Sequence, residues 1–548
     1  MRTYLLLILL GLQSLSSKAN NIQLNNLATT FNSTSGVVTV DFDLSWENSW
    51  RTTAINNWDA AWVFFKYNDG GIWYHLDLTG FDITLPSGFT YSVPADKKGV
   101  FIYRDASNLG VGNVSLTGCK VGVQPQLGSF DLKAFALEMV YVPVGGFYVG
   151  DGATTGSYKD GQSSNPYYVF GGGQYVTLGT NSGLLNTGAG VQLQPHNNYP
   201  TGFYPYYTMK YELSTGALRD FLNCLTAAQQ TWAFQNIGYN YSDSINKPAG
   251  TSVFPLTLQG QPNKPYPFKN FICIQNPGNL AQNQPAIFAC NANGNGIFNE
   301  VDDGESIAIG GFTLHIYFMY LAFSALRPMT DLEFEKAARG PLYPQPGQYA
   351  WGNGNLIRSG NISLSNQYKQ SESIAGGNLN GNIDTLFKRP LRNGIFATNN
   401  SSRVSAGASY YGIMELSGNL LEIVYNTSDS SITTYQGNHG NGSIPFTTIP
   451  TYPYYPFQGY PWSINERTFK VDNSNVDWTI REFITRGGGF CYDGNEMNVN
   501  NGKISFFRQA PSTNPNQIFG YLNSYGNSIS DAYRSKTFYG IRGARTAE

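Results

Sequence analysis

The sequence predicts an all-β sandwich domain, followed by a longer unit that mixes short strands, long loops and two helices. Between Asn20 and about Gln126, apolar and polar residues alternate, and Gly, Asn and Asp interrupt the runs. This alternation is typical of antiparallel strands joined by turns. Beyond Ala134 the apolar runs shorten and two segments with helical periodicity appear. Charged residues are only 13% of the 548 residues and aromatic residues are 15%, which suits a loop-rich extracellular β protein.

The first 19 residues have the pattern of a secretory signal peptide. Arg2 precedes an apolar core from Tyr4 to Leu12, and Ser17 and Ala19 occupy the −3 and −1 positions of a cleavage site. The core is shorter than the ~20 apolar residues that cross a bilayer. We therefore expect cleavage after Ala19 and a secreted, periplasmic or cell-surface protein.

Composition also limits the class of partner. The net charge of −2 leaves no basic face to neutralise phosphate groups, so nucleic acid is not expected. No later apolar run is long enough for a membrane helix, and we expect no membrane span. A neutral surface rich in aromatic residues suits an extracellular protein or glycan ligand.

The alternating segments assign the sandwich to residues 20–133. Strand candidates follow one another as GVVTVDFDLSW, AAWVFFKY, IWYHLDL, GVFIYRD and VGNVSLTGCKVGV, with the turn NDGG between the second and third. Such modules usually act as spacers or adhesion platforms, and this one contains no catalytic grouping.

The second unit, residues 134–548, contains both helix candidates. LSTGALRDFLNCLT places Ala217 and Phe221 on one face. In MTDLEFEKAARG, Thr330 and Glu333 have the spacing of a capping box, and Gly340 follows as a stop. Two stretches of little periodicity, near 228–310 and 426–482, are interpreted as surface insertions, and long loops often carry binding functions.

The five cysteines are too few and too scattered for a disulfide-rich scaffold. Cys273 and Cys290 share one loop, and an exported chain permits a disulfide there, while Cys119, Cys224 and Cys491 are isolated. No CxxC motif occurs, and the four histidines are far apart. The sequence therefore gives no zinc site.

Seven short motifs of the second unit occur in a fixed order: MVYVPVGGFYVG, YYTMKYELSTGALRDFLN, LRPMTDLEFEKAARG, YAWGN, YYGIMELSGNLLEIV, RGGGF and YGIRGAR. In that order they resemble the motifs of the formylglycine-generating enzyme (sulfatase-modifying factor) family, over roughly residues 137–545. The resemblance implies a C-type-lectin-like α+β fold with a high loop content.

The resemblance also implies a structural calcium ion in ELSGNLLE. In the family, the ion is held by side chains at the positions of Glu415 and Glu422 and by carbonyl groups at those of Gly418 and Leu420. Carboxylates and turned-out carbonyl groups supply the oxygen ligands that a hard cation requires. Glu415 stands where the family commonly has Asn, which adds charge but keeps an oxygen donor.

A second calcium ion of the family maps to two separated segments. Its ligands correspond to the side chain of Asn361 and the carbonyl group of Ile362, with the side chain of Asn393 and the carbonyl group of Ile395. Asn393 replaces an Asp of the family, which weakens this site for a hard ion.

The family's catalytic chemistry requires two thiols that hold Cu(I), because soft thiolates select this ion. In the family, these two thiols are five residues apart from each other, and both follow the RGGSW-like corner. Here Cys491 lies one residue before the position of the family's first thiol, and Met497 stands where the second thiol is expected. Two supporting residues of the family also differ: Gly489 replaces the serine of RGGS, and Leu421 replaces the tryptophan of GNxWE. Cys491 is thus the candidate catalytic residue of a copper site that we do not expect to form.

These observations favour an exported, non-catalytic binding or structural protein built on a domain like that of the sulfatase-modifying factors. The alternative is a copper-dependent formylglycine-generating oxidase that acts on a cysteine peptide. An iron-dependent sulfoxide synthase of a related branch would need a histidine cluster, and His196, His315 and His439 lack its spacing.

Overall fold

The structure is a computed structural model of the chain. It describes residues 21–124, 130–153, 157–161, 163–178, 194–234, 245–253, 257–258, 261–265, 271–312, 314–383, 386–398, 400–427, 430–445, 460–462, 469–472, 475–480, 483–489, 522–523 and 539–548. The predicted signal peptide and Cys491 lie outside these residues.

The first unit is built from strands alone, as the alternation predicts. Residues 21–124 form eight strands and no helix: β1 (Gln23–Asn32), β2 (Val37–Thr52), β3 (Asn57–Asp69), β4 (Ile72–Leu76), β5 (Leu78–Thr84), β6 (Phe89–Ser92), β7 (Val100–Arg104) and β8 (Gly110–Val123). All pairings among them are antiparallel. β2 alternates buried with partly exposed residues over most of its length, whereas residues 57–66 of β3 are all buried, so β3 lies in the centre of the core.

The pairing between β2 and β3 connects two groups of strands. It covers only Arg51 with Trp58 and Thr52 with Asn57, at the hairpin end of both strands. Farther along, the rings of Phe42 in β2 and Phe65 in β3 pack with their centroids 5.9 Å apart. β1, β8 and β5 extend the group of β2, whereas β4, β7 and β6 extend that of β3.

One long strand joins the first unit to the second. β9 (Asp131–Val142) pairs with β3 over ten residue pairs, from Asp59 opposite Val140 to Asn68 opposite Asp131. On its other edge it pairs with β12 (Tyr206–Met209), and β26 (Gly543–Thr546) and β17 (Arg327–Pro328) complete a 12-stranded sheet. The predicted boundary at residue 133/134 therefore lies inside a strand, because the chain crosses between the units in extended form.

The two units also share one hydrophobic core. Buried residues from Ile22 to Ala544 belong to a single cluster. Polar contacts cross the same interface: the Trp62 indole donates to the carbonyl oxygen of Ser324 at 3.0 Å, and the Lys210 ammonium lies 3.1 Å from the Asp59 carboxylate. The division into two domains stays a prediction from the sequence.

Both predicted helices form, and the second has the capping box and the glycine stop that the sequence predicts. α1 (Thr215–Leu222) begins after Ser214, whose hydroxyl accepts from the Ala217 amide. After a second helix, α2 (Ala227–Phe234), and a third, α3 (Leu314–Phe323), α4 (Asp331–Arg339) begins with a complete capping box between Thr330 and Glu333. It ends at Gly340, whose φ of 71° suits glycine.

The sequence analysis did not predict α2 and α3. The segment LHIYFMYLAF of α3 is apolar on all sides, and its residues 316–323 are buried. A helix that is apolar all round has no amphipathic period, so its pattern resembles that of a buried strand. The Tyr317 hydroxyl donates to the carbonyl oxygen of Ile423, which places α3 in the centre of the second unit.

The other strands form small sheets: β10 (Phe147–Val149) with β11 (Tyr167–Val169), β13 (Thr257–Leu258) with β14 (Gln261–Pro265), β15 (Ile272–Asn276) with β16 (Ile287–Cys290), β18 (Arg358–Ser365) with β19 (Ser373–Leu379), β20 (Leu421–Tyr425) between β23 (Phe483–Arg486) and β25 (Tyr539–Gly540), and β22 (Asn475–Ile480) between β21 (Phe469–Asp472) and β24 (Leu522–Asn523). The described part of the chain is thus strand-rich with four helices. The segment interpreted as an insertion near 228–310 is partly buried, because Ile272 and Phe288 pack in the main core.

Candidate functional site

The glycine turn predicted to bind calcium is buried directly before β20. Glu415 is 5% exposed and Glu422 is fully buried. Gly418 has a φ of 104°, and a β-carbon there would come within 2.8 Å of Ile383 Cγ1. The turn therefore requires glycine both for its backbone conformation and for its close packing.

Arg542, from the closing YGIRGAR motif, is the positive partner of this turn. Its Nε and Nη2 atoms lie 3.3 Å and 3.2 Å from Glu422 Oε1. The guanidinium also donates to the carbonyl oxygens of Met209 and Met414, at 2.7 Å and 2.9 Å. One buried cation is thus held between β12, the turn and the C-terminal strand β26.

A third buried carboxylate, which the sequence analysis did not single out, completes the site. Glu212 Oε2 accepts from the Asn419 side-chain amide at 2.6 Å, and Glu212 Oε1 accepts from the Leu420 backbone amide at 2.8 Å. Glu212 lies in KYELS, a motif of the resemblance, but its partners are more than 200 residues away. Glu212, Glu415 and Glu422 are called the glutamate cluster below.

The glutamate cluster brings three acidic side chains together in the protein interior. Burial raises the pKa of Glu415 to about 7 and that of Glu422 to about 8, against the opposing charge of Arg542. Burial, followed by the neighbouring Glu422, raises the pKa of Glu212 well above its usual value. Three carboxyl groups therefore surround one arginine that is paired with only one of them, and a further cation would stabilise their charged forms.

Several oxygen atoms of the predicted calcium ligands have no hydrogen-bond partner, as expected for atoms that bind a hard cation. Glu415 Oε1 accepts from the Gly394 amide at 2.8 Å, but Glu415 Oε2, Glu422 Oε2 and Asn393 Oδ1 are buried without a hydrogen-bond partner. Buried carboxylate oxygens normally have partners. The donor set of Glu415 and Glu422 thus fits an oxygen-liganded ion such as calcium.

The two asparagines of the second predicted calcium site differ in solvent exposure. Asn361 is exposed on β18, whereas Asn393 is fully buried and donates its amide to the carbonyl oxygen of Glu212 at 2.7 Å. Ile362 and Ile395 contact one small apolar cluster. The structure therefore brings Asn393 to the glutamate cluster, beside Glu415, and leaves Asn361 at the surface.

The RGGGF corner is described only as far as Gly489, so Cys491 lies beyond it. Arg486 Nη2 pairs with Glu335 Oε1 of α4 at 2.6 Å. At Gly487, with a φ of 85°, a β-carbon would lie 2.2 Å from Glu422 Oε2. The corner that precedes Cys491 is thus packed directly onto the glutamate cluster.

The described cysteines are all free and buried, which corrects the expectation of a disulfide in the loop of Cys273 and Cys290. In the pairing of β15 and β16, Cys273 lies opposite Ala289 and Cys290 lies opposite Ile272. Because side chains alternate between the faces of a strand, the two sulfur atoms lie on opposite faces.

An exposed aromatic surface is the feature that the sequence analysis missed. It surrounds the hairpin of β10 and β11 and is called the tyrosine face; its members are Tyr148, Tyr168, Phe170, Tyr175, Tyr204 and Tyr343. All except Tyr148 are between 45% and 55% exposed. The ring of Tyr148 packs against those of Tyr168 and Tyr343, with centroids 4.8 Å and 4.9 Å away, and Phe170 packs against Tyr175 at 5.6 Å.

The sequence contains a signal for this surface. In YYVFGGGQY, Tyr168 and Phe170 are two residues apart, so both side chains lie on one side of the strand. The adjoining glycines bring the chain back against Tyr175 and Tyr204: β-carbons at Gly171 and Gly172 would lie 2.3 Å and 3.1 Å from those rings.

Comparison with protein-family models gives no match for this chain, and comparison with curated proteins gives no significant similarity. Among the described residues, no helix is both long and apolar enough to cross a bilayer.

Proposed function

We propose that the chain is an exported, non-catalytic binding protein with a C-type-lectin-like domain of the sulfatase-modifying-factor type, and that its tyrosine face binds an extracellular ligand. The observation that carries this proposal is the cluster of five exposed aromatic side chains around the hairpin of β10 and β11. Exposed apolar patches of this kind mark interaction sites.

The chemistry of the face favours a protein ligand over a glycan. Tyrosine provides a large, rigid contact area with one polar atom, and it is enriched at protein interfaces and in antibody paratopes, together with Gly and Asn. The segment YYVFGGGQY, which contributes Tyr168, Phe170 and Tyr175 to the face, consists largely of Tyr and Gly. None of the six residues is charged, so the contact would depend on shape and apolar area rather than on electrostatic attraction.

A structural calcium ion at the glutamate cluster is part of the proposal. The ion would neutralise Glu415 and Glu422 and stiffen the turn before β20. The unpaired buried oxygens of these side chains support this assignment.

The absence of a thiol pair from the RGGGF corner supports a non-catalytic function. Cys491 is the only cysteine after Cys290 in the sequence, and burial raises the pKa of Cys290 and of Cys119 to about 12. A protonated buried thiol is a poor ligand for Cu(I).

The test uses the purified mature chain on a biosensor surface, with two probes: the proteins secreted by the producing cells, and an array of purified glycans. The variant Tyr168→Ser/Tyr175→Ser/Tyr204→Ser should lose binding to a secreted protein. The control Phe31→Ser/Phe81→Ser/Tyr91→Ser removes three exposed aromatic residues of the first unit and should bind normally. Equal binding by both variants, or binding to glycans alone, would refute a protein ligand at this face.

The enzymatic alternative has its own test. The mature chain is incubated with Cu(I) and a cysteine-containing sulfatase peptide, and the peptide mass is followed. We expect no conversion of cysteine to formylglycine, and copper-dependent conversion that disappears in Cys491→Ser would replace the binding function by the oxidase.

A further inference from the structure

The loop that follows β16 has a regular arrangement of oxygen-bearing side chains. From Asn291 to Asp302 the sequence is NANGNGIFNEVD, with Asn at the first, third and fifth positions, Gly296 at the sixth and Asp at the twelfth. This is the spacing of the calcium loop D-x-[DN]-x-[DN]-G-x5-E, with Asn and Asp replacing the first and last acids. The ligands differ from those of that loop, because Asn293 and Asn295 donate their amides to the neighbouring acids instead of facing an ion. The glycine, with a φ of 83°, allows the sharp turn that this loop needs.

The loop brings three carboxylates together. One oxygen atom each of Glu300, Asp302 and Asp303 lies within 4.8 Å of the others. Two oxygens on opposite sides of a calcium ion are about 4.6–5.2 Å apart, since each bond is about 2.3–2.6 Å long. The corresponding span for magnesium is about 4.0–4.2 Å. The three oxygen atoms are therefore close enough together to bind one such cation.

Asp303 provides an independent indication of a ligand. It is buried, its Oδ2 atom accepts from the Glu300 amide at 2.8 Å, and the Asn293 backbone amide also interacts with the carboxylate, but its Oδ1 atom has no hydrogen bond of good geometry. Asn291 Oδ1 is likewise buried without a partner. A buried charged oxygen without a partner is costly, and a bound cation would remove that cost.

The carboxylates are held together by neutral donors alone. The Asn293 amide donates to Asp302 Oδ1 at 3.0 Å, and the Asn295 amide donates to Glu300 Oε2. Within the described part of the chain, no lysine or arginine forms an ion pair with these three acids. Their mutual repulsion is therefore not balanced by a protein cation.

We propose that the loop Asn291–Asp303 binds one calcium ion through the carboxylates of Glu300, Asp302 and Asp303, with Asn291 Oδ1 as a neutral ligand. This site is separate from the glutamate cluster, and it does not depend on the proposed ligand of the tyrosine face.

The ion would also stiffen one wall of a polar cleft of about 940 Å³, which Glu300 and Val301 line together with Arg219 and Arg392. Asn299 joins the loop to α1, because its side-chain oxygen accepts from Arg219 Nη1 at 2.9 Å. Calcium binding would therefore be expected to protect the loop and this wall from proteolysis.

The experiment is a calorimetric titration of the metal-free mature chain with CaCl2, with MgCl2 as the second cation. The loop variant is Asp302→Asn/Asp303→Asn, and its control is Asp69→Asn/Asp131→Asn, which removes two exposed carboxylates of the first unit. We expect binding with a Kd of about 10⁻⁴–10⁻³ M, the range of extracellular calcium modules. The loop variant should lose one equivalent of calcium and the control should lose none.

A second variant, Glu415→Gln/Glu422→Gln, separates this ion from the one proposed at the glutamate cluster, because it must retain the equivalent that belongs to the loop. Since Asp303 is buried, circular dichroism checks the fold of the loop variant, and Asp302→Asn alone, at a partly exposed position, must still weaken binding. Parental stoichiometry and affinity in both loop variants, or no calcium binding by the parent chain, would overturn the proposal.

Discussion

Arg542 and Glu422 form an ion pair in the interior, with the Nε and Nη2 atoms of the arginine 3.3 Å and 3.2 Å from one carboxylate oxygen. The two residues belong to motifs that are 120 positions apart in the sequence. Glu212 and Glu415 act on the same guanidinium electrostatically. Arg542 is thus the ion-pair partner of Glu422, whereas Glu415 is also stabilised by the charge of Arg392, so removal of Arg542 would leave Glu422 without its partner.

The first prediction concerns that ion pair. Above about pH 8, where Glu422 is ionised, Arg542→Met should lower the free energy of unfolding by about 3–5 kcal/mol, because it leaves that carboxylate buried and uncompensated. Urea unfolding in EDTA measures the loss. In the control Lys120→Met, an exposed ion pair with Asp41 is removed, and the loss should be at most about 1 kcal/mol. Similar losses in both variants would contradict the structural role of Arg542.

The second prediction follows from the raised pKa values of Glu415 and Glu422, about 7 and about 8. The unfolded chain releases these protons near its ordinary pKa of ~4.3. Between these limits the folded chain binds more protons, so this contribution to stability decreases as pH rises from about 4.5 to about 8. Glu415→Gln/Glu422→Gln should therefore flatten the pH profile of the urea midpoint in EDTA. Parallel profiles for parent and variant would show that the two groups titrate normally.

The third prediction concerns the start of α4. The Thr330 hydroxyl accepts from the Glu333 amide at 3.1 Å and donates to the carbonyl oxygen of Pro200 at 2.8 Å. Thr330→Ala should therefore cost about 1–2 kcal/mol of unfolding free energy, as loss of an N-cap usually does. Thermal unfolding measures the change, and Thr330→Ser, which keeps the hydroxyl, is the matched control. If both variants lost the same unfolding free energy, the effect would come from the methyl group of Thr330, which both lack, and not from its hydroxyl.

The fourth prediction concerns the thiols. Cys119, Cys224, Cys273 and Cys290 are buried, and burial raises the pKa of each. We expect a thiol-specific reagent at neutral pH to leave these four unmodified until the chain unfolds, because only the exposed thiolate reacts quickly. Peptide mapping of labelled native and urea-unfolded protein identifies the positions. Rapid labelling of any of the four in the native protein would contradict their burial.

Much of the local structure could be predicted from the sequence. The alternation in residues 20–126 predicts strands that correspond to β2, β3, β4, β7 and β8, but not β1 or β6. The capping box of Thr330 and Glu333 fixes the start of α4. Gly340 fixes its end. These features depend on neighbours within a few residues. By contrast, α3 has no polar face to reveal its period, so only its packing against β20 and β23 identifies it.

The sequence by itself determined that the first unit consists of strands, the capping box and stop of α4, and the oxygen-rich turn that holds Glu415 and Glu422. Only the tertiary structure decided that Glu212 joins this turn, that Arg542 balances one of its charges, and that Asn361 stays at the surface. It also decided that one strand, β9, unites the two units, and that aromatic residues of four segments form the tyrosine face. The physical reason is that local geometry follows from adjacent side chains, whereas the burial and pairing of a charge depend on residues that only folding brings together.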